Sequence, residues 1–519
     1  MKPSFFLLFF FISIGLFAQE LNKKVTYHSG PERHIKEEYT YKGNDSLTIH
    51  GTYKRYYPTS HAIEVIAQYI DGKRHGEYQE FYENGAKRLV YGYNAGKKDG
   101  KYLKFYDNNK KMVECTYANG EIQGEMVRYS KSEQIIARVS FKAGLRSGKM
   151  INYYPNGNIS AEYIYEKDKR NGPVKAYGPD GTLMQEGGYV NDKKNGKMTI
   201  YYPNGSIKHE STFKDDVLHG LSKKYHQSGK LIEEFNYVNG RESGIGKTYY
   251  ANGQVRTEGN YADGRVTGDF KVYHENGQLK TIVKTEAGNS QTGAYKTYDP
   301  EGNLIVEGKM INGQPQGESK VYYPNGKIKR KLTYKFGKKE GEVLEYFESG
   351  ELKIKTIYAN KERNQRIQTF YKSGNIESEQ LKVAERPTGK WKFYHPNKQL
   401  KYEELYDVRG LKQGECKIFS ANGKIEKLEL YKNGNLHGII TEYYTSGKVK
   451  SKITYSSGQV YGPASFHYEN GSIESKGKLY NGDKKLGKWL YYNKDGQLIR
   501  EETYQRGKLV NTKTIEPEN

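Results

Sequence analysis

The chain has 519 residues, of which only 35% are hydrophobic and 13% aromatic, and its formal net charge is +23. A chain of this length ordinarily forms several globular domains, but so few hydrophobic residues cannot supply several conventional cores. The 50 Tyr against 2 Trp indicate that tyrosine builds most of the core, since its ring can be buried while its hydroxyl reaches water. The composition therefore excludes ordinary globular domains and favours a thin, regular structure.

The first residues differ in character from the rest of the chain. Lys2 gives a basic start, an apolar run covers residues 5–17, and the small residue Ala18 precedes Gln19. This run is shorter than the roughly 20 residues that span a bilayer. We therefore interpret residues 1–18 as a cleaved secretory signal peptide rather than a retained membrane anchor. The sequence predicts export to the periplasm, the cell surface or the extracellular medium.

A repeat of 24 or 25 residues begins at residue 51 and recurs nineteen times. With the first residue of each repeat as position 0, Gly occupies every start except Gln365, and Tyr or Phe occupies position 5 everywhere except His467. Such columns are typical of a repeat architecture in which each copy is one supersecondary unit. The starts are residues 51, 76, 100, 124, 148, 172, 196, 220, 244, 268, 293, 317, 341, 365, 389, 414, 438, 462 and 487.

Each repeat has the pattern of a β-hairpin. In the repeat that starts at Gly196, an aromatic and β-branched run over 197–202 is followed by Pro203-Asn204-Gly205 and a second run over 206–213. Asn-Gly between two such runs predicts a tight turn, because both residues tolerate positive φ. The pentapeptide YYPNG, found at 153–157, 201–205 and 322–326, is thus predicted to be a strand end plus a turn.

The predicted fold is an all-β, elongated, single-sheet-like solenoid of about nineteen tandem 24-residue hairpins over residues 51–510. Residues 19–50 are predicted to form a degenerate N-terminal capping repeat and residues 511–519 a polar C-terminal tail. Atypical ends are expected in a stacked array, since they protect its last exposed strands.

Four segments carry a resemblance to a known repeat family: GKWKFYHPNKQL at 389–400, GKWLYYNKDGQL at 487–498, DGKRHGEY at 71–78 and NGNLHG at 433–438. They resemble the MORN repeat in its bacterial variant. The resemblance implies a ribbon-like stack of hairpins with roles in scaffolding, protein contacts and, in some members, contact with anionic lipids. Bacterial variants are often labelled antitoxin-like, a role that fits poorly with a secretory signal.

The two cysteines and most histidines are interpreted as structural. Cys115 and Cys416 lie about twelve repeats apart, so we expect two free, packed thiols. His209-Glu210 and His274-Glu275 lack the second His of a zinc-binding helix. Histidines in the aromatic columns are interpreted as replacements for Tyr (His226, His274, His395 and His467).

No catalytic, metal-binding or cofactor-binding motif stands out. Asp-Gly pairs such as Asp180-Gly181 lack the alternating carboxylates of a calcium loop and fall where turns are expected. Glu64 and Glu233, taken as the only carboxylates at position 13, are the nearest candidates for catalysis, but seven repeats separate them. We therefore expect a protein without enzymatic activity, cofactor or metal, with an enzyme whose groups converge along a groove as the alternative.

The tyrosine columns and the basic excess each have two interpretations. The rings can fill a thin core or line a groove for glycans or peptides. The lysine pairs between repeats, such as those at 97–98, 193–194 and 338–339, can be solvated loop ends or an edge that attracts anionic surfaces. Nucleic acid is not an expected partner.

The predicted function is an exported, non-enzymatic scaffold that binds proteins or cell-envelope components along an extended β ribbon. The alternatives are a peripheral binder of anionic membrane lipid or acidic envelope polymer, through the basic turns, and an antitoxin-like binding protein.

Overall fold

The structure is a computed structural model that describes residues 21–43, 48–286 and 288–516. Every regular element in these ranges is a β-strand, and the same ranges contain no helix long and apolar enough to cross a membrane. The chain divides into an N-terminal body, Met1–Gly253, and a C-terminal body, Gln254–Asn519. The predicted signal peptide over residues 1–18 lies outside the described residues.

The strands of the N-terminal body are β1 Leu21–Tyr27, β2 Ile35–Lys42, β3 Ile49–Tyr56, β4 Ile63–Ile70, β5 Lys73–Phe81, β6 Lys87–Asn94, β7 Lys97–Phe105, β8 Lys111–Ala118, β9 Glu121–Tyr129, β10 Ile135–Lys142, β11 Leu145–Tyr153, β12 Ile159–Glu166, β13 Lys169–Tyr177, β14 Leu183–Val190, β15 Lys193–Lys194, β16 Gly196–Tyr201, β17 Ile207–Lys214, β18 Val217–Tyr225, β19 Leu231–Val238, β20 Arg241–Glu242 and β21 Gly244–Tyr249.

The strands of the C-terminal body are β22 Val255–Ala262, β23 Arg265–Tyr273, β24 Leu279–Glu286, β25 Asn289–Tyr298, β26 Leu304–Ile311, β27 Gln314–Tyr322, β28 Ile328–Lys335, β29 Lys338–Lys339, β30 Gly341–Tyr346, β31 Leu352–Ala359, β32 Asn364–Phe370, β33 Ile376–Val383, β34 Arg386–Pro387, β35 Gly389–Tyr394, β36 Leu400–Tyr406, β37 Lys412–Phe419, β38 Ile425–Lys432, β39 Asn435–Leu436, β40 Gly438–Tyr443, β41 Val449–Ser456, β42 Gln459–His467, β43 Ile473–Tyr480, β44 Lys484–Tyr492, β45 Leu498–Gln505 and β46 Lys508–Thr514.

Within each body, every strand pairs in antiparallel fashion with its neighbours in sequence. In the repeat that starts at residue 100, for example, β7 pairs with β8 and β8 pairs with β9. The two-residue strands are the beginnings of first strands that a short irregularity separates from the rest, as where β14 pairs with both β15 and β16. The prediction of an all-β array of nineteen hairpin repeats is confirmed.

The glycine at position 0 has a role that the sequence did not reveal. The first strand begins before it, and Gly100, for instance, lies within β7 at a φ of +88°. Three residues, 99–101, stand opposite Gly92 alone, because Tyr91 pairs with Tyr102 while Tyr93 pairs with Lys98. The column is therefore a repeated β-bulge, which favours glycine because the backbone there is left-handed.

The one repeat without this glycine also lacks the bulge. Tyr358 pairs with Gln365 and Ala359 with Asn364, and the register of β31 against β32 runs without a shift. The left-handed residues lie instead in the loop, at Asn360, Lys361 and Glu362. The exception at Gln365 is thus a change of local structure rather than a tolerated substitution.

The sheet has two chemically distinct faces. The face that carries positions 2, 13, 15 and 17, here called the ring face, holds most of the buried residues, including the cluster of Val65, Ala67, Tyr78 and Tyr91. The opposite face, which carries positions 1, 3, 14 and 16, is here called the charge face. Because side chains alternate along a strand, each face keeps its own chemistry along all the repeats of a body.

Packing on the ring face depends on size complementarity between neighbouring repeats. In some repeats a large residue at position 2 lies across from a glycine at position 15 of the preceding repeat, as where Phe270 pairs with Gly259, whereas Tyr102 pairs with Tyr91. Trp489, which is completely buried, likewise covers Gly477. A single layer can bury a large ring in this way because the neighbouring strand leaves room for it.

The described ends agree only in part with the prediction. Residues 21–42 form the hairpin β1–β2 of the predicted capping repeat, and residues 44–47 lie outside the described residues. The strand β46 pairs with β45 as far as Thr514, so the first part of the predicted polar tail, residues 511–514, is strand. Backbone pairing with the free edge of β45 needs no apolar side chain, which explains why polarity was misleading there.

Candidate binding surfaces

The YYPNG turns are tight and internally bonded. In the first copy, the Tyr154 amide donates to the Asn158 carbonyl (2.8 Å), and the Gly157 amide donates to the Tyr154 carbonyl (2.9 Å). The Asn156 side-chain oxygen accepts a hydrogen bond from the Asn158 amide (3.1 Å). Gly157 has a φ of +90°. The motif is therefore a strand end plus a hairpin turn, as the sequence predicts.

The second tyrosine of the motif also joins neighbouring repeats. The Tyr154 hydroxyl donates to the Tyr177 carbonyl at 2.8 Å, and the Asn156 side chain donates to the Pro179 carbonyl at 2.6 Å. The other two YYPNG copies make the same hydroxyl bond, Tyr202 to Tyr225 and Tyr323 to Tyr346. All three copies thus join neighbouring repeats, through a row of hydroxyl–carbonyl bonds here called the seam. Each of their second tyrosine hydroxyls already donates its hydrogen bond within the chain.

Histidine replaces tyrosine in this seam at two places. The Nε2 atom of His274 lies 3.0 Å from the Tyr298 carbonyl, and that of His395 lies 2.8 Å from the Phe419 carbonyl. Their geometry matches that of the tyrosine hydroxyls. The interpretation of these two histidines as packed replacements for Tyr is confirmed.

The ring face carries cations stacked on aromatic rings. Lys98, at position 22 of its repeat, has its ammonium 4.8 Å from the centre of the Tyr91 ring and 5.1 Å from that of Tyr117. Arg170 lies 4.1 Å from the Tyr189 ring centre. The same contact recurs along both bodies, at Arg74, Arg146, Lys194, Lys339, Lys412 and Lys485.

These contacts correct the interpretation of the lysine pairs as solvated loop ends. The second lysine of each pair, such as Lys98, Lys194 or Lys339, is partly buried over a ring, where a cation and a π-face attract each other. Only the first lysine, such as Lys97 or Lys193, is exposed. Period counting missed this contact because the ring and the cation lie about nineteen residues apart in sequence.

The charge face is crossed by a row of alternating charges, here called the charge row, formed by positions 3 and 14. Lys223 pairs with Glu210 on one side and with Glu234 on the other. Lys197 approaches Glu210 to 2.5 Å and the Tyr225 hydroxyl donates to it at 3.1 Å. The Lys197 ammonium is the main cause of the lowered pKa of Glu210. Around Glu210 the charge row therefore neutralises itself.

Two grooves on the charge face of the C-terminal body differ in whether carboxylates are present to pair with their lysines. The first, of about 600 Å³, contains Glu307 between Lys296 (3.7 Å) and Lys320 (3.6 Å). The second, of about 680 Å³, is lined by Lys452, Lys476 and Lys478, together with apolar residues, and by no carboxylate. We call it the basic groove. Its lining residues are Ile439, Lys452, Thr454, Pro463, Ala464, Ser465, Lys476, Gly477, Lys478, Leu486, Gly487, Lys488 and Leu490.

The structure separates the two candidate catalytic carboxylates. Glu64 is the extra residue of a bulge between β3 and β4, since Arg55 pairs with Val65 and Tyr56 with Ile63. Its assignment to position 13 was wrong, because the turn of that repeat is one residue longer. Glu64 forms an ion pair with Arg55 at 2.7 Å.

Glu233 belongs to a polar cluster on the ring face. His209 pairs with Lys224, which pairs with Glu233, and the His209 Nε2 lies 2.9 Å from the Ser222 hydroxyl. Burial is the main cause of the lowered pKa of His209. Burial, and then the Glu233 charge, raise the pKa of Glu242. Sequence reasoning singled out Glu233 but not its neighbours, which cross-strand pairing brings to it.

The two thiols are packed inside the sheet. Cys115 and Cys416 are both free and buried, as predicted, and burial raises the pKa of each thiol to about 11. Across residues 21–43, 48–286 and 288–516, no three His, Cys, Asp or Glu side chains lie close enough together to hold a metal ion.

Comparison with known families identifies the repeat. The model for the MORN repeat variant matches fourteen segments that together make up more than half of the chain. The chain belongs to the MORN repeat variant family. The matched segments are residues 74–88, 98–119, 146–167, 194–215, 218–239, 242–263, 266–285, 291–312, 315–336, 339–360, 387–407, 412–433, 436–457 and 485–506.

Other comparisons add little to the family assignment. No curated protein sequence matches the chain. A crystal structure of TcdB2-TccC3 is 12% identical over 93% of this chain and 30% of that chain, with a TM-score of 0.14. A Photorhabdus luminescens Tc holotoxin pore with a mutation in TccC3 is 13% identical over 95% of this chain and 29% of that chain, with a TM-score of 0.12. At these TM-scores the likeness carries no argument about function.

The MORN repeat variant model passes over residues 458–484, between two matched segments. It passes over residues 120–145, 168–193 and 361–386 in the same way, and residues 458–484 still form the strands β42 and β43. They contribute Pro463, Lys476 and Lys478 to the basic groove.

Proposed function

We propose that the protein is an exported, non-enzymatic MORN-repeat scaffold that binds other proteins or cell-envelope components along its strands. The observation that carries this proposal is the repetition of one side-chain pattern on each face, strand after strand within each body, with open grooves on the charge face. A surface that offers the same contacts at regular intervals suits a partner that lies across many strands.

The absence of enzymatic activity is part of the proposal. The polar cluster around His209 is the best catalytic candidate, because Ser222 lies within hydrogen-bonding distance of the imidazole. A hydrolase would also need donors directed at a developing oxyanion, and His209 lines neither the groove around Glu307 nor the basic groove. Turnover of an envelope glycan or ester by the purified protein, lost in His209→Gln, would contradict this part.

Export is proposed from the sequence of residues 1–18, which predicts cleavage before Gln19. Fractionation of cells that make the full chain should place the protein outside the cytoplasm. N-terminal sequencing of the mature protein should then begin at or near Gln19. A cytoplasmic protein that keeps Met1 would refute export without affecting the binding proposal.

Binding is tested with the full mature protein immobilised on a resin. Incubation with a native envelope extract at low salt should retain a partner that high salt elutes, because the exposed charges of the charge face are screened by salt. A resin that carries an unrelated basic protein of similar charge is the control. A retained set identical to that of the control, or no retained partner, contradicts the proposed scaffold.

A second candidate is a peripheral binder of anionic membrane lipid or acidic envelope polymer. The observation that favours it is the exposure of the first lysine in each inter-repeat pair, as at Lys97 and Lys193. Sedimentation with acidic vesicles should then depend on salt and weaken in Lys97→Gln/Lys193→Gln. The matched control is Lys98→Gln/Lys194→Gln, which removes lysines that stack on rings. Vesicles that pellet no protein at low salt remove this candidate.

A further inference from the structure

The charge row loses its carboxylates at the basic groove. From β38 to β44 the successive cross-strand partners are Leu428, Thr441, Lys452, Ser465, Lys476 and Leu490. Elsewhere in the same body the row also contains Lys320, Lys331 and Lys355, but there Glu307 pairs with Lys320 and Glu342 forms an ion pair with Lys355. The carboxylate resumes at Glu501, which pairs with Leu490 and lies 2.8 Å from Lys488. Two successive repeats therefore carry cations with no internal counterion.

Of the four lysines that line the basic groove, Lys488 pairs with Glu501, whereas the other three are exposed and have no ion-pair partner among the described residues. In the part of the chain that the structure describes, no carboxylate lies within 4.0 Å of Lys452, Lys476 or Lys478. Lys476 also lies 5.2 Å from the Tyr492 ring centre, a contact that leaves its charge unneutralised. Because no carboxylate of the described chain pairs with these ammonium groups, each is available to a carboxylate of a ligand.

Ser465 stands between Lys452 and Lys476 in the row, and apolar residues border these lysines on the neighbouring positions. Pro463 and Leu486 stand on either side of Lys478 in the strand pairing, and Leu490 stands beside Lys476. Leu486 is 36% exposed and Ile439 is 50% exposed, so both can lose water contact when a ligand binds. A groove of about 680 Å³ with apolar walls and a few convergent charges has the size and composition of a ligand site.

The spacing of the cations indicates which anion fits. Lys452 lies on β41 and Lys476 on β43, two strand spacings apart, or roughly 9.5 Å. A polyproline II helix has three residues per turn and rises about 3.1 Å per residue, so side chains at i and i+3 lie on one face roughly 9.3 Å apart. In a β-strand, side chains of one face lie only about 6.7 Å apart.

We propose that the basic groove binds an extended acidic peptide segment of a partner protein, in the polyproline II conformation, with carboxylates at every third residue. One carboxylate lies at Lys452 and the next at Lys476, where they replace the missing acidic members of the charge row. Apolar residues of the peptide pack on Pro463 between the two carboxylates and on Leu486 and Leu490 beyond the second one. The peptide runs across β41 to β44, along the cross-strand row and not along a strand.

The proposal commits to a peptide rather than a lipid surface because the cations form a two-point pattern inside a groove. Lysine is a compact point charge that pairs with one carboxylate at a time. A membrane surface reads the number of exposed cations and not their spacing, so it predicts equal effects of lysines inside and outside the groove.

This inference rests on the proposed scaffold function and identifies the chemistry of one partner site. The scaffold function and the peptide site can be refuted by different results. A partner retained from envelope extract by a Lys452→Gln/Lys476→Gln variant as well as by the wild type would leave the scaffold intact and refute this site.

The test uses the full mature protein and a fluorescent, blocked peptide of four Pro-Glu-Leu triplets, which places a carboxylate at every third residue. Fluorescence anisotropy should show saturable binding that weakens as salt rises. Lys452→Gln/Lys476→Gln should weaken binding about three- to tenfold, as expected for two exposed ion pairs. The matched control, Lys296→Gln/Lys320→Gln, alters two lysines of the other groove that already pair with Glu307 and should leave the affinity unchanged.

Spacing is tested with a second peptide of the same composition whose glutamates stand at every second residue, and it should bind more weakly. Four results overturn the proposal: no binding of the first peptide, equal loss in both double variants, equal affinity for the two peptides, or binding to acidic vesicles in place of the peptide with the same dependence on Lys452 and Lys476. Circular dichroism of both variants should match the wild type, since all four lysines are exposed or half-exposed.

Discussion

The packing of Trp489 on Gly477 gives a sharp prediction for the substitution Gly477→Ala. A Cβ added at Gly477 would lie under 3.0 Å from three atoms of the Trp489 ring, which is 0% exposed. Gly477 lies in β43 without a positive φ, so backbone strain does not oppose alanine there. On backbone grounds alone, Gly→Ala in a strand should stabilise by about 0.5–1 kcal/mol.

The steric cost reverses that sign. Overpacking costs roughly 1–3 kcal/mol. Displacing the indole also breaks the bond from its Nε1 to the Lys478 carbonyl, at 3.1 Å, which is worth about 1 kcal/mol. Taken with the backbone gain, we expect a net loss of roughly 1–3 kcal/mol in the C-terminal body, with partial exposure of Trp489 before unfolding.

The assay is urea unfolding followed by tryptophan emission in a Trp391→Phe background, so that Trp489 is the only tryptophan. Gly477→Ala should lower the unfolding midpoint and shift the native emission to longer wavelength. The control is the same substitution in a Trp489→Leu background, followed by circular dichroism, where the smaller side chain should remove the cost. Equal destabilisation in both backgrounds, or an unchanged midpoint and emission in the first, would refute the packing argument.

Three further predictions address the seam, the stacked cations and the charge row. Tyr154→Phe removes the hydroxyl bond to Tyr177 and should cost about 0.5–1.5 kcal/mol, measured as faster amide hydrogen exchange in the two turns; unchanged exchange would contradict it. Lys98→Met keeps the aliphatic stem but removes the cation from its rings and should cost roughly 1 kcal/mol, whereas Lys98→Arg should cost less. Hydrogen bonds from Lys101 and Lys111 lower the pKa of Glu114 to about 2, so its stabilising effect should be complete above the ordinary pKa of 4.5 and disappear as pH falls towards 2. Compared with the wild type in acid titrations of stability, Glu114→Gln should lose part of that dependence, and identical curves would contradict the assignment.

His209 should add a second loss of stability with falling pH, at a higher pH than the loss that comes from Glu114. Burial is the main cause of its lowered pKa, so the unfolded chain binds a proton before the folded one does as pH falls through 6.5. Stability should therefore decline from pH 8 towards pH 5 by this group's contribution. His209→Gln should flatten that decline in thermal unfolding, and an unchanged slope would contradict the role of burial.

Much of the fold could be predicted from one column of glycine and one of tyrosine. Asn-Gly turns at a fixed interval dictate hairpins, and Tyr154 and its equivalents mark the strand ends, because these residues favour their backbone conformations locally. The seam bonds could not be predicted, since the hydroxyl of Tyr154 and the carbonyl of Tyr177 meet only when two hairpins pair.

Less of the candidate sites than of the fold could be predicted from the sequence. Glu64 was misplaced by one register because an extra turn residue shifts every later position of its repeat. Lys452 and Lys476 look like ordinary lysines in a basic chain. Ten of the nineteen repeats have Glu at this position, and only the strand pairing shows that Lys452 and Lys476 lack a carboxylate partner among the residues that the structure describes.

The sequence by itself determined the repeat, the hairpins, the turns and the free thiols, because each depends on local backbone preference or on spacing along the chain. The tertiary structure decided which side chains face each other across strands. That pairing made the glycine column a series of bulges, put Lys98 over its rings, and left the basic groove without a carboxylate. The physical reason is that side chains alternate between the two faces, so a one-residue shift of register moves each side chain to the other face, and charge balance and packing depend on the register.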